Sequence, residues 1–463
     1  MPITGAFIMP HPPIILPQVG RGEEWKIQKT VTSCKRIAEQ IAAMKPETIV
    51  LTSPHSVMYA DHFHISPGNG AKGNLRKFGV DEGKFHINIE YDCDFVSKLQ
   101  AEAAKHGISA GTEGERDAYL DHGTIVPLAF IREQYTDFRL VRIGLSGLPF
   151  AKHYELGRCI ARIADISGNN VVFIASGDLS HKVSQQSHYG FAAEGVMFDE
   201  QVTEAMSNGD FFKFLTFDES FIEKAAECGL RSFIIMAGAL DGKEVKSELL
   251  SYEGTFGVGY GTASFIPYGE NEGRKFLEIY SKLEDSRLKD VKEREDEYVK
   301  LARYSVENYI KTGKMAEMPK NLPEDMLSRK AGVFVSLKKH GKLRGCIGTI
   351  SPVMKNIAGE ILRNAISAAF EDPRFDPLEV SELPEIVYSV DVLSPSEPVD
   401  SMDSLDSERY GVIVVSGYKR GLLLPNLEGV DTPEQQVEIA RRKAGIRDDE
   451  KFSLERFEVV RHI

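Results

Sequence analysis

The sequence predicts an α/β fold in two units, with the chemistry placed at strand ends of the first. Three observations support that expectation. Val171 to Ile174 is a short continuous apolar run, as in a strand buried on both faces of a sheet, and the small residues after it lead into Asp178-Leu179-Ser180-His181. Strand-like runs of this kind alternate with stretches of helical periodicity through the first part of the chain. At 463 residues the chain exceeds one ordinary core, so at least two domains are expected.

Taken in order, Ile3 to Met9 is a strand stopped by Pro10-His11-Pro12-Pro13, a rigid corner that holds one imidazole. Ile27, Val31, Cys34, Ile37, Ile41 and Met44 recur at spacings of three and four, which predicts a helix from about Glu24 to Lys45. Thr48 to Thr52 is a second strand, ended by Ser53-Pro54-His55. The glycine- and charge-rich stretch from Ser66 to Gly83 suggests a mobile loop. Further strands are expected at Phe85–Tyr91 and Leu140–Leu145, and helices at Asp94–Gly107 and His153–Ile166. Phe198–Ser207 and Ser220–Leu240 are expected as helices, the second carrying Glu227 and Cys228 within it. Ser247–Tyr252 and Val258–Tyr268 close the unit as strands. The glycines at 254, 257, 259 and 261 precede strand-like sequence, so they do not form a dinucleotide fingerprint.

Residues 270–295 are dense in charge of both signs and form the predicted linker, between a first domain at 1–269 and a second at 296–463. There the pattern restarts with an amphipathic helix at Tyr298–Thr312, its inner face including Leu301, Tyr304, Ser305, Val306 and Ile310. A strand at Ala331–Lys338 turns at Gly341-Lys342 into Leu343-Arg344-Gly345-Cys346-Ile347-Gly348. A helix ends before Pro373, strands follow at Glu385–Leu393 and Gly411–Val415, and Thr432-Pro433-Glu434-Gln435 has the form of a capping box.

The net charge of −13 argues against nucleic acid as a main partner, and no apolar run reaches membrane-spanning length. The apolar N-terminus lacks a basic leader and is broken by prolines, so no signal peptide is expected. The five cysteines are scattered without a CxxC pair, which points to a reduced, cytoplasmic protein.

Of twelve histidines, His11, His55, His122 and His181 lie where a strand ends or a loop meets an apolar run; most of the others are expected at the surface. Each could be an incidental histidine, and Asp178 or Ser180 could simply cap a helix. Four in one domain favour a common site. Two neutral imidazoles and one carboxylate form the facial arrangement of non-haem Fe(II), with His11, His55 and Glu227 as ligands. Cys228 as the third ligand would favour Zn(II) or copper instead. His181 and His122 would stay free for acid–base work, with ordinary values near ~6.5. In the second unit, Cys346 is either an exposed nucleophile or a structural thiol in a tight turn, and Arg344 either binds an anion or pairs with an acid.

The motifs MPHPP, SPHS, DHGTIVPL, SGDLSH and AECGLRSF, in that order from Met1 to Gly269, resemble those of the LigB-type class III extradiol dioxygenases and the related Memo proteins. The resemblance implies a three-layer α/β domain and a metal-dependent oxidoreductase, with Fe(II) on His11, His55 and Glu227, cleaving the ring of a catechol- or aminophenol-like aromatic substrate with O2. It makes His181 the acid–base residue, and His122 the residue that steadies substrate or oxygen. Memo proteins place a cysteine near the third-ligand position, similar to Cys228, which implies a copper or zinc redox or hydrolytic alternative; a non-catalytic binding module is a further one. LRGCIG, NAISAAFEDPRFDPL, ELPEIVYSVDVLS and RGLLLPNL resemble an AMMECR-type α+β domain, smaller than the first. A fusion of the two resembles a component of the AmmeMemoRadiSam system, which implies a radical S-adenosylmethionine protein as partner, with a homo-oligomer also open.

Overall fold

The structure is a computed structural model that describes residues 3–116, 119–427 and 429–463. The chain divides into two compact units, residues 1–283 and 284–463.

The first unit is built on a six-stranded sheet: β1 (Ile3–Met9), β2 (Thr48–Ser53), β3 (Arg139–Gly144), β4 (Val171–Ser176), β5 (Lys243–Glu253) and β6 (Tyr260–Glu270), in the order β3-β2-β4-β1-β6-β5. The first four run parallel, and β6 and β5 are added antiparallel. Every residue of β2 and β4 is buried, which is why these runs are continuously apolar rather than alternating. Helices cover both faces. On one lie α1 (Gln28–Met44) and, further along the chain, α3 (His122–Gln134); on the other lie α2 (Cys93–Lys105), α4 (Phe150–Ser167), α5 (Ala193–Asn208) and α6 (Leu230–Ala239). In such a three-layer sheet the carboxyl ends of neighbouring parallel strands open toward one crevice. β1 and β2 flank β4 there, so His11, His55 and the 178–181 segment converge.

Several expectations change. The helix expected from Ser220 to Leu240 is two helices, Glu219–Ala225 and α6, separated by Ala226–Gly229. Ala226 takes a left-handed conformation, φ 53°, which ends the first helix and turns Cys228 out of its path. Residues 66–83 are not a plain loop: Gly70–Asn74 pairs antiparallel with His86–Glu90, and Phe78 sits 5.6 Å from the His122 ring. No helix follows Asp178, so neither it nor Ser180 is a helix cap. Of the histidines outside the candidate group, most of which were expected at the surface, His64 and His153 are buried at 1% and 0% exposure. Helix α1 begins four residues later than about Glu24, after a 3-10 turn at Glu23–Ile27.

Glycine has a structural role at one close approach. A Cβ on Gly177 would lie 2.2 Å from the Gly229 Cα, so the end of β4 and the 226–229 turn touch backbone to backbone. The charged stretch after β6 is mostly helix α7 (Phe276–Arg294), with no buried residue.

The second unit has a seven-stranded antiparallel sheet: β7 (Val333–Lys339), β8 (Lys342–Gly348), β9 (Ile386–Leu393), β10 (Glu397–Val399), β11 (Tyr410–Ser416), β12 (Lys419–Leu423) and β13 (Ser453–His462). The order is β8-β7-β9-β13-β11-β12, with β10 beside β13. Alternate residues of β7 and β9 pack against α8 (Glu297–Thr312) and α9 (Ile357–Phe370). Asp296 caps α8 by accepting from the Tyr298 and Val299 N–H groups. Tyr304 faces outward, 42% exposed, rather than into that core. Thr432 forms the capping box of α10 (Pro433–Lys443). Among the described residues no helix is long and apolar enough to cross a membrane.

Gly177→Ala forces the two backbones apart, and overpacking of this kind costs about 1–3 kcal/mol. Denaturant unfolding of the full chain should show that loss, and wild-type stability in the variant would contradict the close approach.

Candidate functional site

Three ligand atoms meet at the carboxyl edge of the sheet. The His11 Nε2, His55 Nε2 and Cys228 Sγ all lie within 4.8 Å of one another. The two imidazole nitrogens are 3.0 Å apart, and Cys228 Sγ is 3.7 Å from His11 Nε2. His11 is buried, Cys228 is partly buried and His55 is exposed, so the group opens to solvent on the His55 side. Among the described residues this is the one cluster with metal-ligand geometry.

Each of the three side chains is placed by a short local device. Pro10 and Pro12 flank His11 just beyond β1, and the His11 N–H donates to Asp178 Oδ1 at 2.8 Å. The His11 Nδ1 is 2.9 Å from the Ser176 hydroxyl. At the end of β2, the Ser53 hydroxyl accepts from the His55 N–H at 3.2 Å and donates to Asp121 Oδ1 at 2.5 Å. Cys228 is held by the turn before α6: its N–H donates to the Asp178 carbonyl at 3.4 Å, and the Asp178 N–H points at Sγ from 3.3 Å.

The sequence offers Glu227 and Cys228 as rival third ligands, and the structure separates them. The Glu227 Oε2 accepts the Leu230 N–H at 2.6 Å and so caps the start of α6. The thiol, not the carboxylate, faces the two imidazoles.

His122 and His181 lie beside this group without joining it. His122 is the first residue of α3, with its ring centroid 3.9 Å from His55 and 5.4 Å from His11. His181 is partly buried, with Tyr189 at 5.0 Å. The expectation of ordinary imidazole values fails for both. Burial lowers His181, and burial together with His55 and His11 takes His122 down to about 3. His11 is likewise lowered to about 3, chiefly by burial and then by His55. His11 and His122 are therefore neutral throughout the physiological range, and His11 is in the form a metal requires. Burial, reinforced by Asp178 and Glu227, pushes the Cys228 thiol well up.

Two carboxylates organise the centre: Asp178, expected only as a helix cap, and Asp121, not singled out from the sequence. Burial raises Asp178 to about 6, opposed by the His11 N–H. Burial also works against ionisation of Asp121, but Arg142 and hydrogen bonds from Ser53 and Thr124 outweigh it and hold that carboxyl below its usual range. Asp121 caps α3 and ties it to the end of β2, with the fully buried Arg142 side chain 4.0 Å away. Their closeness to a candidate histidine, three residues before His181 in GDLSH and next to His122 in DHG, is the signal that could have found them.

In the second unit, Arg344 pairs with an acid: Glu382 receives it through Nε at 3.0 Å and a terminal nitrogen at 2.8 Å. Cys346 lies inside strand β8, not in a tight turn. The Ser336 hydroxyl donates to its sulfur at 3.2 Å, its N–H donates to Asp372 at 2.9 Å, and burial raises the thiol. Arg374 bridges Asp372 and the Cys346 carbonyl. The DPRFDP segment thus clamps the outer edge of the LRGCIG strand, satisfying an edge N–H and C=O that would otherwise be open.

A doubly covered parallel sheet with two imidazoles at its strand ends and a thiol on an adjoining turn is an α/β framework with a group of side chains that could hold a metal ion. The family described as the catalytic LigB subunit of aromatic ring-opening dioxygenase matches residues 5–263, and the AMMECR1 family matches residues 299–462. A Clostridium acetobutylicum protein is 40% identical over 470 residues, covering 100% of this chain and 99% of its own. A Thermotoga maritima protein is 52% identical over 170 residues, covering 36% of this chain and 98% of its own. Among solved structures, an uncharacterized Pyrococcus horikoshii protein covers 35% of this chain and 88% of its own, at 32% identity and a TM-score of 0.33. The chain belongs to the LigB family through its first unit and to the AMMECR1 family through its second.

Asp199, on α5, supports the 178–181 segment from behind. It accepts from the Ser180 N–H at 2.8 Å and the Tyr252 hydroxyl at 2.7 Å, and burial raises it to about 7. A carboxyl raised in the folded state binds its proton more tightly there, so its contribution favours folding at low pH and fades as pH climbs from about 4 to about 7. Asp199→Asn can keep both hydrogen-bond positions without the charge. It should therefore stabilise the chain at pH 8 by on the order of 2 kcal/mol and flatten the pH dependence. Parallel unfolding curves for variant and wild type between pH 5 and 8 would refute this.

Proposed function

We propose that the first unit is a metal-dependent oxidoreductase on the LigB framework, with the ion held by His11, His55 and Cys228. The observation that carries this reading is the convergence of two imidazole nitrogens and one sulfur within 4.8 Å. A soft thiolate in the donor set favours copper, and next zinc, over the Fe(II) of a two-histidine, one-carboxylate site. When bound, copper supplies one-electron redox chemistry and a Lewis-acid position for substrate or O2.

The residues around the centre have separable tasks. His11 and His55 present neutral nitrogens, and Cys228 must give up its proton for the site to load. His122 is neutral at the N-terminal turn of α3, where it can donate a hydrogen bond but not a full charge to an oxygen atom of the substrate. His181 moves a proton between its imidazole and the substrate. The exposed side at His55 admits a small substrate, and the Phe78 ring against His122 and the Tyr189 ring against His181 offer flat surfaces to an aromatic one.

Iron-dependent extradiol cleavage is the second reading, favoured by the family match at residues 5–263. It requires Glu227 to leave the Leu230 N–H and turn toward the imidazoles.

Metal content separates the two. Cys228→Ser should weaken Cu(I) or Zn(II) binding by more than about a hundredfold, while Glu227→Gln keeps full stoichiometry. Loading should also release close to one proton at pH 7, read in buffers of different ionisation enthalpy. Iron that survives Cys228→Ser but is lost in Glu227→Gln would establish the second reading instead.

A further inference from the structure

We infer that Ser176 and Pro127 act together to fix the tautomer of His11, making them positioning residues for the centre. The inference rests on the proposed metal reading for its purpose, but its geometry is independent of any ion.

The Ser176 hydroxyl donates to the Gly123 carbonyl at 2.6 Å, and a carbonyl can only accept. Ser176 has a single hydroxyl proton, so toward His11 Nδ1, 2.9 Å away, its oxygen can only accept. The His11 Nδ1 must then carry the imidazole proton. Its Nε2 is left with a lone pair, and Nε2 is the atom that faces His55 and Cys228. A ligating histidine needs this division of labour between its two nitrogens.

Pro127 explains why the Gly123 carbonyl is available. Gly123 is the second residue of α3, and in an α-helix its carbonyl would accept from the N–H four residues on. That residue is Pro127, which has no N–H and whose ring crowds the carbonyl four residues back. The carbonyl is thus freed inside the helix, and the buried Ser176 hydroxyl takes it up. A proline within a helix here directs a proton on a different element.

The test uses the full-length metal-free chain with isotope-labelled histidine. Long-range ¹⁵N NMR reads the tautomer, with the His11 signal identified by its loss in His11→Ala. Wild type should show His11 protonated at Nδ1 only. Ser176→Ala should bring in the Nε2-protonated form, and Pro127→Ala should do so partially, because a restored N–H competes for the Gly123 carbonyl. Cu(I) affinity, measured against a chromophoric chelator, should fall about ten- to a hundredfold in Ser176→Ala and less in Pro127→Ala. An unchanged His11 tautomer in both variants overturns the inference. A tautomer that shifts as described in a wild-type background that binds neither Cu(I) nor Zn(II) upholds the inference and defeats the metal reading, so the two fail separately.

Discussion

The contact between Gly177 and Gly229 is the constraint on which the candidate centre depends. With no side chain on either, the end of β4 and the turn before α6 meet at backbone distance. That approach lets the Asp178 N–H reach the Cys228 sulfur and the Cys228 N–H reach the Asp178 carbonyl. It also sets the His181 N–H against the Ala226 carbonyl at 3.3 Å. A thiol from one layer and a histidine-bearing segment from another are thereby locked together. β1 and β2, which flank β4 on either side, then need only deliver their histidines at the same edge.

Around this contact lies a shell of hydrogen bonds that orients more than it stabilises. Asp121 ties the cap of α3 to Ser53 and so to His55, while Ser176 ties His11 to the same helix. Asp178 holds the His11 backbone, and Asp199 holds Ser180. Burial depresses the imidazoles and raises the thiol and Asp178. At neutral pH the imidazoles and the thiol are therefore uncharged, while Asp121 stays ionised beside them and supplies the negative charge of the cluster.

Much of this was legible in the sequence, because it depends on local patterns. Continuous apolar runs mark β1, β2 and β4 as buried parallel strands, and the histidines at their ends follow from the chemistry of such edges. What stayed hidden depends on distant contacts. Apolar spacing persists from Ile222 and Ala225 into Leu230 and Phe233, so periodicity alone joins two helices that Ala226 divides. With that turn unseen, the choice between adjacent Glu227 and Cys228 was open, since a single backbone turn decides which one faces the imidazoles. Ser176 and Pro127 were likewise silent, their partners lying 165 residues away for Ser176 and on a turn whose hydrogen-bond deficit appears only in the folded helix. In the second unit, Arg344 and Cys346 drew attention as chemistry but are held by Glu382, Ser336 and Asp372, a clamp that only the fold reveals.

The most direct test of the central claim is X-ray absorption at the metal edge of full-length protein loaded with one equivalent of Cu(I) or Zn(II). A shell with one sulfur near about 2.3 Å and two imidazole nitrogens near about 2.0 Å is expected. A shell of nitrogen and oxygen alone, with no sulfur scatterer, would contradict the His11, His55 and Cys228 centre.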